Sequence, residues 1–277
     1  MSVETEEKVD LDKCLEVAVS VAKEAGEVIA KGFTDGEAQR TAGWKGTADL
    51  VTEVDRRVER LVFARLRAAF PAHALIGEET AGASEVVGEG PTWVVDPIDG
   101  TTNFVHGYPQ TCVALALFVG GRVSVAVVHN PVLGELFTAV RGRGAYLNGT
   151  RRLHVSGARG LREAVVATNV GCARDARGVG FITGNLARVL DAQVLSVRMT
   201  GSASMALASV AAGRLCAFYE WGIHIWDYAP GALLVEEAGG KVCAPDGSPV
   251  DYAGRCVLAG AIPVVDELAS ILLKKDF

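Results

Sequence analysis

Two carboxylates, a hydroxyl and an amide follow an apolar run in residues 93–103, whose sequence is W-V-V-D-P-I-D-G-T-T-N. The apolar part predicts a buried strand that ends at a turn containing Pro97 and Gly100. Asp96 and Asp99 can converge on one point beside such a turn, and their repulsion is unfavourable unless a cation or a shared proton lies between them. The spacing therefore predicts a positive species at this turn.

The types of donor atom narrow the choice of cation. Residues 93–103 offer only oxygen ligands and contain no Cys or His pair at zinc spacing, and oxygen donors favour magnesium, manganese or calcium. Magnesium keeps several waters and is normally completed by substrate phosphate, so the turn suggests a site that handles phosphate. One alternative stays open at this point: Asp96 and Asp99 could cap a helix that begins at Gly100 or organise an Asx turn.

The composition is that of an ordinary globular protein. The chain has 277 residues, of which 49% are hydrophobic, and this is enough for a large core. The formal net charge of -6 argues against nucleic acid and anionic membranes as partners. Six cysteines without a C-x-x-C pair, no signal-peptide pattern and no long apolar run predict reduced thiols and a cytoplasmic location.

Apolar spacing predicts the elements that would position the acidic turn. Residues 11–30 show a 4-3-4-3-4 apolar spacing that is typical of one helix face, with Asp10 as the N-cap. Thr52, followed three residues later by Asp55, predicts a capping box at the start of a second helix. Between the two helices, a glycine-dotted segment that carries Lys45 is expected to form a mobile loop or hairpin, which could serve as a lid.

The rest of the chain predicts a hairpin over 113–128, two more strands around Gly134, and then strands alternating with helices. In the second half the expected strands are 163–168, 194–199, 215–219 and 257–261, and the expected helices are 182–190, 202–212, 228–238 and 263–274. Interleaved strands and helices predict a layered α/β architecture. We expect one domain over 1–277, with two closely packed halves that meet near residues 150–160.

Five acidic residues stand where α/β proteins place functional groups, at strand ends and helix starts. They are Asp55, Glu78, Asp96, Asp99 and Asp227. Two long motifs surround three of them, W-V-V-D-P-I-D-G-T-T-N-F over 93–104 and W-D-Y-A-P-G-A-L-L-V-E-E-A-G-G over 226–240. Further motifs are G-E-E at 77–79, N-P-V-L-G-E-L-F at 130–137 and G-R-G-A-Y-L-N-G at 142–149. In these motifs, their order and their spacing, the sequence resembles the inositol monophosphatase family of magnesium-dependent, lithium-sensitive phosphatases.

That resemblance implies an αβαβα layered sandwich of the inositol monophosphatase and fructose-1,6-bisphosphatase type, assembled as a homodimer. The implied metal ligands are Glu78, Asp96 and the carbonyl of Ile98 for a first Mg²⁺, and Asp96, Asp99 and Asp227 for a second. A weaker third Mg²⁺ would depend on Glu78 and water, near the loop that holds Lys45. Mn²⁺ could replace Mg²⁺, and Li⁺ would inhibit.

The same resemblance implies roles in catalysis and substrate binding. Thr101, paired with Asp55, would orient the attacking water, and Glu78 would act through the metal ions. The implied substrate contacts are Asp99, the amides of Gly100 and Thr101, the turn formed by Gly201, Ser202 and Ala203, and the carboxylate of Glu220. The residues alone leave another interpretation of Glu220 open, a solvent-exposed acid at a strand end.

The implied reaction is the magnesium-dependent hydrolysis of a myo-inositol monophosphate to inositol and phosphate. Phosphate monoesters hydrolyse very slowly without a catalyst, so the site must both activate water and neutralise charge on the departing oxygen. Two metal ions about 3.5 to 4 Å apart could do both without a covalent intermediate. The alternatives are another small phosphate ester, namely fructose-1,6-bisphosphate, histidinol phosphate or a 3'-phosphoadenosine nucleotide, or a regulatory or assembly partner with a secondary phosphatase site.

Overall fold

Helices and strands alternate along the chain, as the apolar spacing predicts. The computed structural model describes residues 9–36, 41–46, 49–81 and 86–273. In that part of the chain the helices are α1 (Leu11–Thr34), α2 (Glu53–Ala69), α3 (Thr101–His106), α4 (Ala176–Asp191), α5 (Ala203–Ala211), α6 (Ile225–Glu237) and α7 (Ile262–Ile271). The strands are β1 (Gly43–Gly46), β2 (Asp49–Val51), β3 (Ala74–Gly77), β4 (Thr92–Asp99), β5 (Cys112–Val119), β6 (Arg122–Asn130), β7 (Glu135–Val140), β8 (Ala145–Leu147), β9 (Arg151–Arg152), β10 (Val165–Ala167), β11 (Ser196–Arg198), β12 (Ala217–Trp221), β13 (Lys241–Cys243) and β14 (Cys256–Gly260).

The first two helices begin at the predicted caps. The carboxylate of Asp10 accepts hydrogen bonds from the backbone amides of Asp12 and Lys13 at 3.0 and 3.1 Å. At the start of α2, the Thr52 hydroxyl accepts from the amide of Asp55, and the Asp55 carboxylate accepts from the amide of Thr52 at 2.8 Å. This reciprocal pair satisfies amides that a helix start leaves unpaired, and it also fixes the Asp55 side chain.

A seven-stranded sheet carries the acidic turn. Its order is β3-β4-β5-β6-β7-β8-β9, with β3 parallel to β4 and the other neighbours antiparallel. The predicted hairpin is confirmed as β5 and β6, whose turn holds Gly120 and Gly121 at φ of 56° and 69°. Because strand side chains alternate, Trp93 and Val95 pack toward α1 and α2 whereas Val94 packs toward α5 and α6.

A five-stranded sheet in the order β11-β10-β12-β14-β13 forms a further layer. Phe218 of β12 packs in the same cluster as α5 and α6, whereas Tyr219 packs on the opposite face with Val264 of α7 and Val189 of α4. The layers are therefore α1 and α2, the large sheet, α5 and α6, the small sheet, and α4 with α7. This arrangement confirms the predicted αβαβα sandwich.

The structure differs from the predicted elements at several ends. Helix α4 begins at Ala176 and not at residue 182, because the Asp175 carboxylate caps it by accepting from the amides of Arg177 and Gly178 at 3.0 and 2.9 Å. Gly178 and Gly180 interrupt the apolar pattern over the first five residues of this helix. Strand β13 was not predicted, and α7 ends at Ile271, while the predicted end at residue 274 lies outside the described residues.

Candidate active site

Three carboxylates from two elements meet at the end of β4. Asp96 and Asp99 belong to the last part of β4, and Asp227 lies in the first turn of α6, which packs across the sheet. One carboxylate oxygen from each of the three lies within 4.8 Å of the others. Residues separated by about half of the chain therefore form a single acidic cluster, as the sequence predicts.

The irregular end of β4 turns Asp96 and Asp99 toward the same place. The pairing of β4 with β5 shifts register between these two residues, and Pro97 lies in the interval. The Asp96 Oδ1 atom accepts a hydrogen bond from the amide of Ile98 at 3.0 Å. In a regular strand, residues three apart would face opposite sides of the sheet, so the bulge is what allows both carboxylates to converge.

The cluster is electrostatically unfavourable by itself. Burial raises the pKa of Asp96 well above its ordinary value, and the neighbouring Glu78, Asp99 and Asp227 raise it further. Burial likewise raises the pKa of Asp227, together with the charges of Asp99 and Glu78. Buried oxygen donors that repel one another are stabilised by a hard divalent cation, so the residues of this cluster fit a magnesium or manganese ion.

Glu78 adjoins the cluster and has a side-chain cation beside it. The amide of Glu78 donates to the Val95 carbonyl at 3.2 Å, which keeps the residue next to β4. Lys45 Nζ, on the β1 strand, lies 2.8 Å from Glu78 Oε1 and 2.6 Å from Glu79 Oε1. Burial raises the pKa of Glu78 to about 7, although Lys45 lowers it. The predicted loop around Lys45 therefore reaches the acidic cluster.

Thr101 and Asp55 are in hydrogen-bonding contact, as predicted. Thr101 Oγ1 lies 3.1 Å from Asp55 Oδ1 and 3.0 Å from the carbonyl oxygen of Ile98. Burial raises the pKa of Asp55 to about 6, while hydrogen bonds from Thr52 and Thr101 lower it. Asp55 is therefore largely ionised above pH 6 and can accept a hydrogen bond from the Thr101 hydroxyl.

Gly100 is the residue that allows α3 to begin directly after the acidic turn. It is the N-cap of α3 with φ of 86°, a conformation that favours glycine. A Cβ atom there would lie 2.8 Å from the carbonyl oxygen of Gln110. The amides of Gly100 and Thr101 consequently stand at a helix start beside Asp99.

The predicted substrate turn is joined to the cluster through Asp99. Ser202 caps α5, and its hydroxyl donates to Asp99 Oδ2 at 2.8 Å. The amide of Ser204 donates to the same Asp99 oxygen at 2.5 Å. Gly201 precedes this cap at φ of 76°, and Ala203 follows it inside the helix. Ser204 was not predicted, because only the folded chain places the start of α5 against the end of β4.

Glu220 lies inside the protein and not in solvent, so the alternative of an exposed acid is wrong. It is 5% exposed on β12, and burial raises its pKa to about 8. Asn169 Nδ2 donates to Glu220 Oε2 at 2.8 Å, and Asn169 Oδ1 accepts from the Gly201 amide at 2.8 Å. Asn169 was missed by the sequence reasoning, although its position just after a predicted strand is the kind of place where functional residues occur.

The start of α6 corrects one expectation. The sequence predicts a helix over 228–238 with Asp227 as its cap, which would place Pro230 in its first turn. The helix actually begins at Ile225, after the N-cap His224, and the Asp227 carboxylate accepts from the His224 amide at 2.6 Å. Pro230 therefore lies in the second turn, where a different residue would donate its amide to the Trp226 carbonyl.

Known proteins resemble this chain along nearly its whole length. A family model described as the inositol monophosphatase family matches residues 10–275. The chain belongs to this family. An inositol monophosphatase of Dictyostelium discoideum is 42% identical over 270 residues, which are 97% of this chain and 98% of the relative. Inositol monophosphatase 2 of Solanum lycopersicum is 47% identical over 271 residues, which are 96% of this chain and 100% of the relative.

A solved structure agrees with the fold. The extragenic suppressor protein suhB from Bartonella henselae superposes with a TM-score of 0.85 and 37% identity, covering 95% of this chain and 99% of that chain. Membership of the inositol monophosphatase family confirms the predicted enzyme class, a phosphoric monoester hydrolase. The family is metal-dependent, and the acidic cluster of this member is a group that could hold a metal ion. Among the described residues, no helix has the length and apolar character needed to cross a bilayer.

Proposed function

We propose that this member of the family hydrolyses myo-inositol monophosphate to inositol and inorganic phosphate in a magnesium-dependent reaction. The observation that carries the proposal is the convergence of Asp96, Asp99 and Asp227 within 4.8 Å. The chain that forms this cluster is 42% and 47% identical to two proteins named inositol monophosphatases.

Two magnesium ions are proposed at the acidic cluster. The proposed ligands are Glu78, Asp96 and the Ile98 carbonyl for one ion, and Asp96, Asp99 and Asp227 for the other. When bound, such ions activate water and stabilise the negative charge of the departing oxygen. A third Mg²⁺ would bind more weakly at Glu78, beside Lys45, and we further propose that Mn²⁺ substitutes and Li⁺ inhibits.

Thr101 and Asp55 are proposed to orient the attacking water. Above pH 6 the ionised Asp55 accepts a hydrogen bond from the Thr101 hydroxyl across the 3.1 Å contact. The Thr101 oxygen is then left with lone pairs that can accept a hydrogen bond from water. The contact thereby selects one orientation of the attacking water, and no covalent bond between enzyme and phosphate is needed.

The remaining polar groups suit a neutral polyol. The amides of Gly100 and Thr101 at the helix start would receive the phosphate. A pKa of about 8 leaves Glu220 mostly protonated at pH 7, so that its carboxyl group can both donate and accept hydrogen bonds. The Gly201–Ala203 turn would supply further contacts to ring hydroxyls.

We also propose that the enzyme is a cytoplasmic homodimer. Tyr108 and Met199 are 51% and 48% exposed although both are apolar. Asn103 connects the segments that carry these two residues. Its side-chain amide donates to the Thr200 carbonyl at 2.8 Å, and its backbone carbonyl accepts from the Tyr108 amide at 2.9 Å. Burial of such neighbouring apolar side chains against a second copy would be favourable.

The proposed substrate is tested with a panel of esters, assayed with Mg²⁺ and after chelation. Inositol 1-phosphate should be hydrolysed faster than fructose-1,6-bisphosphate, histidinol phosphate and 3'-phosphoadenosine nucleotides, and chelation should abolish turnover. Faster turnover of a nucleotide would replace the proposed substrate, and full activity after chelation would exclude the metal-dependent mechanism.

The assignment of the cluster is tested with Asp99→Asn. This variant should lose turnover and keep the circular dichroism spectrum of the wild type, whereas Asp191→Asn, on the exposed end of α4, should behave as the wild type. Normal activity of Asp99→Asn would remove Asp99 from the metal site. A biological role that survives Asp99→Asn would instead favour a regulatory or assembly partner.

A further inference from the structure

A cavity of about 130 Å³ lies between α4 and the outer face of the five-stranded sheet. Phe181 and Ile182 of α4 form one wall, and Tyr219 and Trp221 of β12 form another. Because side chains alternate along a strand, Tyr219 and Trp221 point away from the face on which Glu220 meets Asn169. The aromatic part of the cavity thus lies on the opposite face of β12 from Glu220, and Asn169 lies at its edge.

The Tyr219 hydroxyl makes no hydrogen bond of regular geometry with the described residues. Tyr219 is 2% exposed, and its side chain lines the cavity. Burial raises the pKa of Tyr219 to about 12 and outweighs an irregular side-chain hydrogen bond with Thr168, which lowers it. The hydroxyl is therefore a protonated donor at neutral pH. A buried hydroxyl without a partner is unfavourable, so a ligand that accepts its hydrogen bond would be stabilised there.

Aromatic rings give the cavity a defined shape. Phe181 meets Trp221 edge to face, with ring centroids 4.9 Å apart and an interplanar angle of 86°. Tyr219 meets Trp221 at 5.6 Å and 69°. Rings held in this way leave a space bounded by flat apolar faces and edges, which suits a planar apolar molecule.

The side-chain amides that line this space offer little to an ordered water. An ordered buried water needs two to four polar partners, as a general rule. The side-chain amides that line the cavity are already engaged, since Asn169 bonds to Glu220 and Gly201, and Asn185 bonds to the Phe181 carbonyl and the Leu273 amide. The volume is close to that of an apolar cavity of about 150 Å³ that binds benzene in another protein.

We propose that this cavity is a binding site for a small planar apolar molecule that carries one hydrogen-bonding group, of the size of phenol. The apolar ring would lie among Phe181, Ile182 and Trp221, and the polar group would meet the Tyr219 hydroxyl. Phenol has one planar ring and one hydroxyl group, seven heavy atoms in all, and is therefore the probe for this site.

Asn169 connects this site to the substrate contacts. Its side chain lines the cavity and also holds Glu220 and the Gly201 amide, each at 2.8 Å. A ligand in the cavity would restrain Asn169 and thereby the two groups proposed to bind the polyol. This part of the inference rests on the proposed function, and it predicts an effect on KM more than on kcat.

Binding is tested by calorimetry and ligand-observed NMR on the full chain, without substrate or metal. Phenol should bind saturably, and Tyr219→Phe should weaken phenol about three- to tenfold while leaving benzene unchanged. Ile182→Phe should fill the cavity and abolish binding of both. Leu190→Phe, which adds the same kind of ring on the exposed side of α4, should bind as the wild type. Non-saturable binding, or binding that survives Ile182→Phe, would overturn the site.

The connection to the active site is tested by kinetics on the substrate hydrolysed fastest in the ester panel. Saturating phenol should change KM about threefold or more in the wild type and leave it unchanged in Ile182→Phe. A constant KM despite saturable binding would overturn the connection through Asn169. Failure of the proposed function would look different, since without phenol the enzyme would then hydrolyse none of the esters, or would hydrolyse another ester faster than inositol 1-phosphate.

Discussion

The Lys45 ammonium lies 2.8 Å from Glu78 Oε1, next to the cluster of Asp96, Asp99 and Asp227. It also lies 2.6 Å from Glu79 Oε1, so the β1 strand delivers a positive charge to the place where the third metal ion is proposed. A carboxylate that is paired with lysine is less available to a metal ion. Lys45 and a metal ion therefore compete for Glu78.

Removing this competitor should tighten metal binding. We expect Lys45→Gln to lower the dissociation constant of the weakest Mg²⁺ about three- to tenfold in a calorimetric titration. Lys241→Gln is the matched control, because Lys241 forms a surface ion pair with Asp266 at 2.7 Å. Weaker metal binding in Lys45→Gln would mean that Lys45 assembles the site and does not compete.

Catalysis should depend on the hydroxyl group of Thr101 more than on the shape of its side chain. Thr101→Val removes the hydroxyl that contacts Asp55 at 3.1 Å, and we expect kcat to fall about 10²- to 10⁴-fold. Thr101→Ser keeps the hydroxyl and should retain most of the activity. Steady-state kinetics with matched circular dichroism spectra measures both effects. A Thr101→Val enzyme with the kcat of the wild type would contradict the proposed role in orienting water.

Asp96 should stabilise the metal-bound protein and destabilise the metal-free one. In chelator, Asp96→Asn removes a buried carboxyl group whose ionised form is disfavoured by burial and by Glu78, Asp99 and Asp227. We expect its melting temperature to rise about 2 to 4 °C for each kcal/mol of repulsion relieved. Added Mg²⁺ should raise the melting temperature of the wild type but not that of the variant. This prediction would be contradicted if Asp96→Asn had a lower melting temperature than the wild type in chelator and if Mg²⁺ still raised that temperature.

Glu220 should make the metal-free protein less stable at alkaline pH. Its pKa is raised from 4.5 to about 8 by burial, so the folded state binds more protons than the unfolded state between these values. The stabilisation is therefore complete below about pH 4.5 and is lost as pH rises toward 8. We expect Glu220 to contribute a loss of about 4 kcal/mol in the free energy of urea unfolding between pH 5 and 8.5 in chelator. Glu220→Gln should flatten this dependence, and an unchanged slope would contradict it.

The two halves of the chain should unfold together. Phe118 of the large sheet and Phe218 of the small sheet belong to one buried cluster that also contains Leu207 of α5. We expect a single calorimetric transition whose van't Hoff and calorimetric enthalpies agree. Leu207→Ala should lower the unfolding free energy by about 2 to 5 kcal/mol while keeping one transition. Two separate transitions would instead mean that the two halves, which meet near residues 150–160, unfold independently.

Much of the fold was predictable because its signals are local. The caps at Asp10 and at Thr52 need only residues two or three positions away, and the hairpin around Gly120 needs only its own alternation. Signals failed where they were weak or interrupted. Helix α4 begins with glycines, and strand β13 has only three residues. The start of α6 was misplaced because Asp227 was interpreted as a cap and not as the third residue of a capping box.

The sequence by itself determined which residues could form the acidic cluster, since Asp96, Asp99 and Asp227 stand in two long motifs whose residue types carry the chemistry. Only the tertiary structure decided which of the other residues reach it. Lys45 meets Glu78, and Asn169 joins Glu220 to Gly201, across separations along the chain that no periodic pattern records. Such contacts depend on how whole layers pack, and packing is set by the sum of many buried side chains and not by any one local signal.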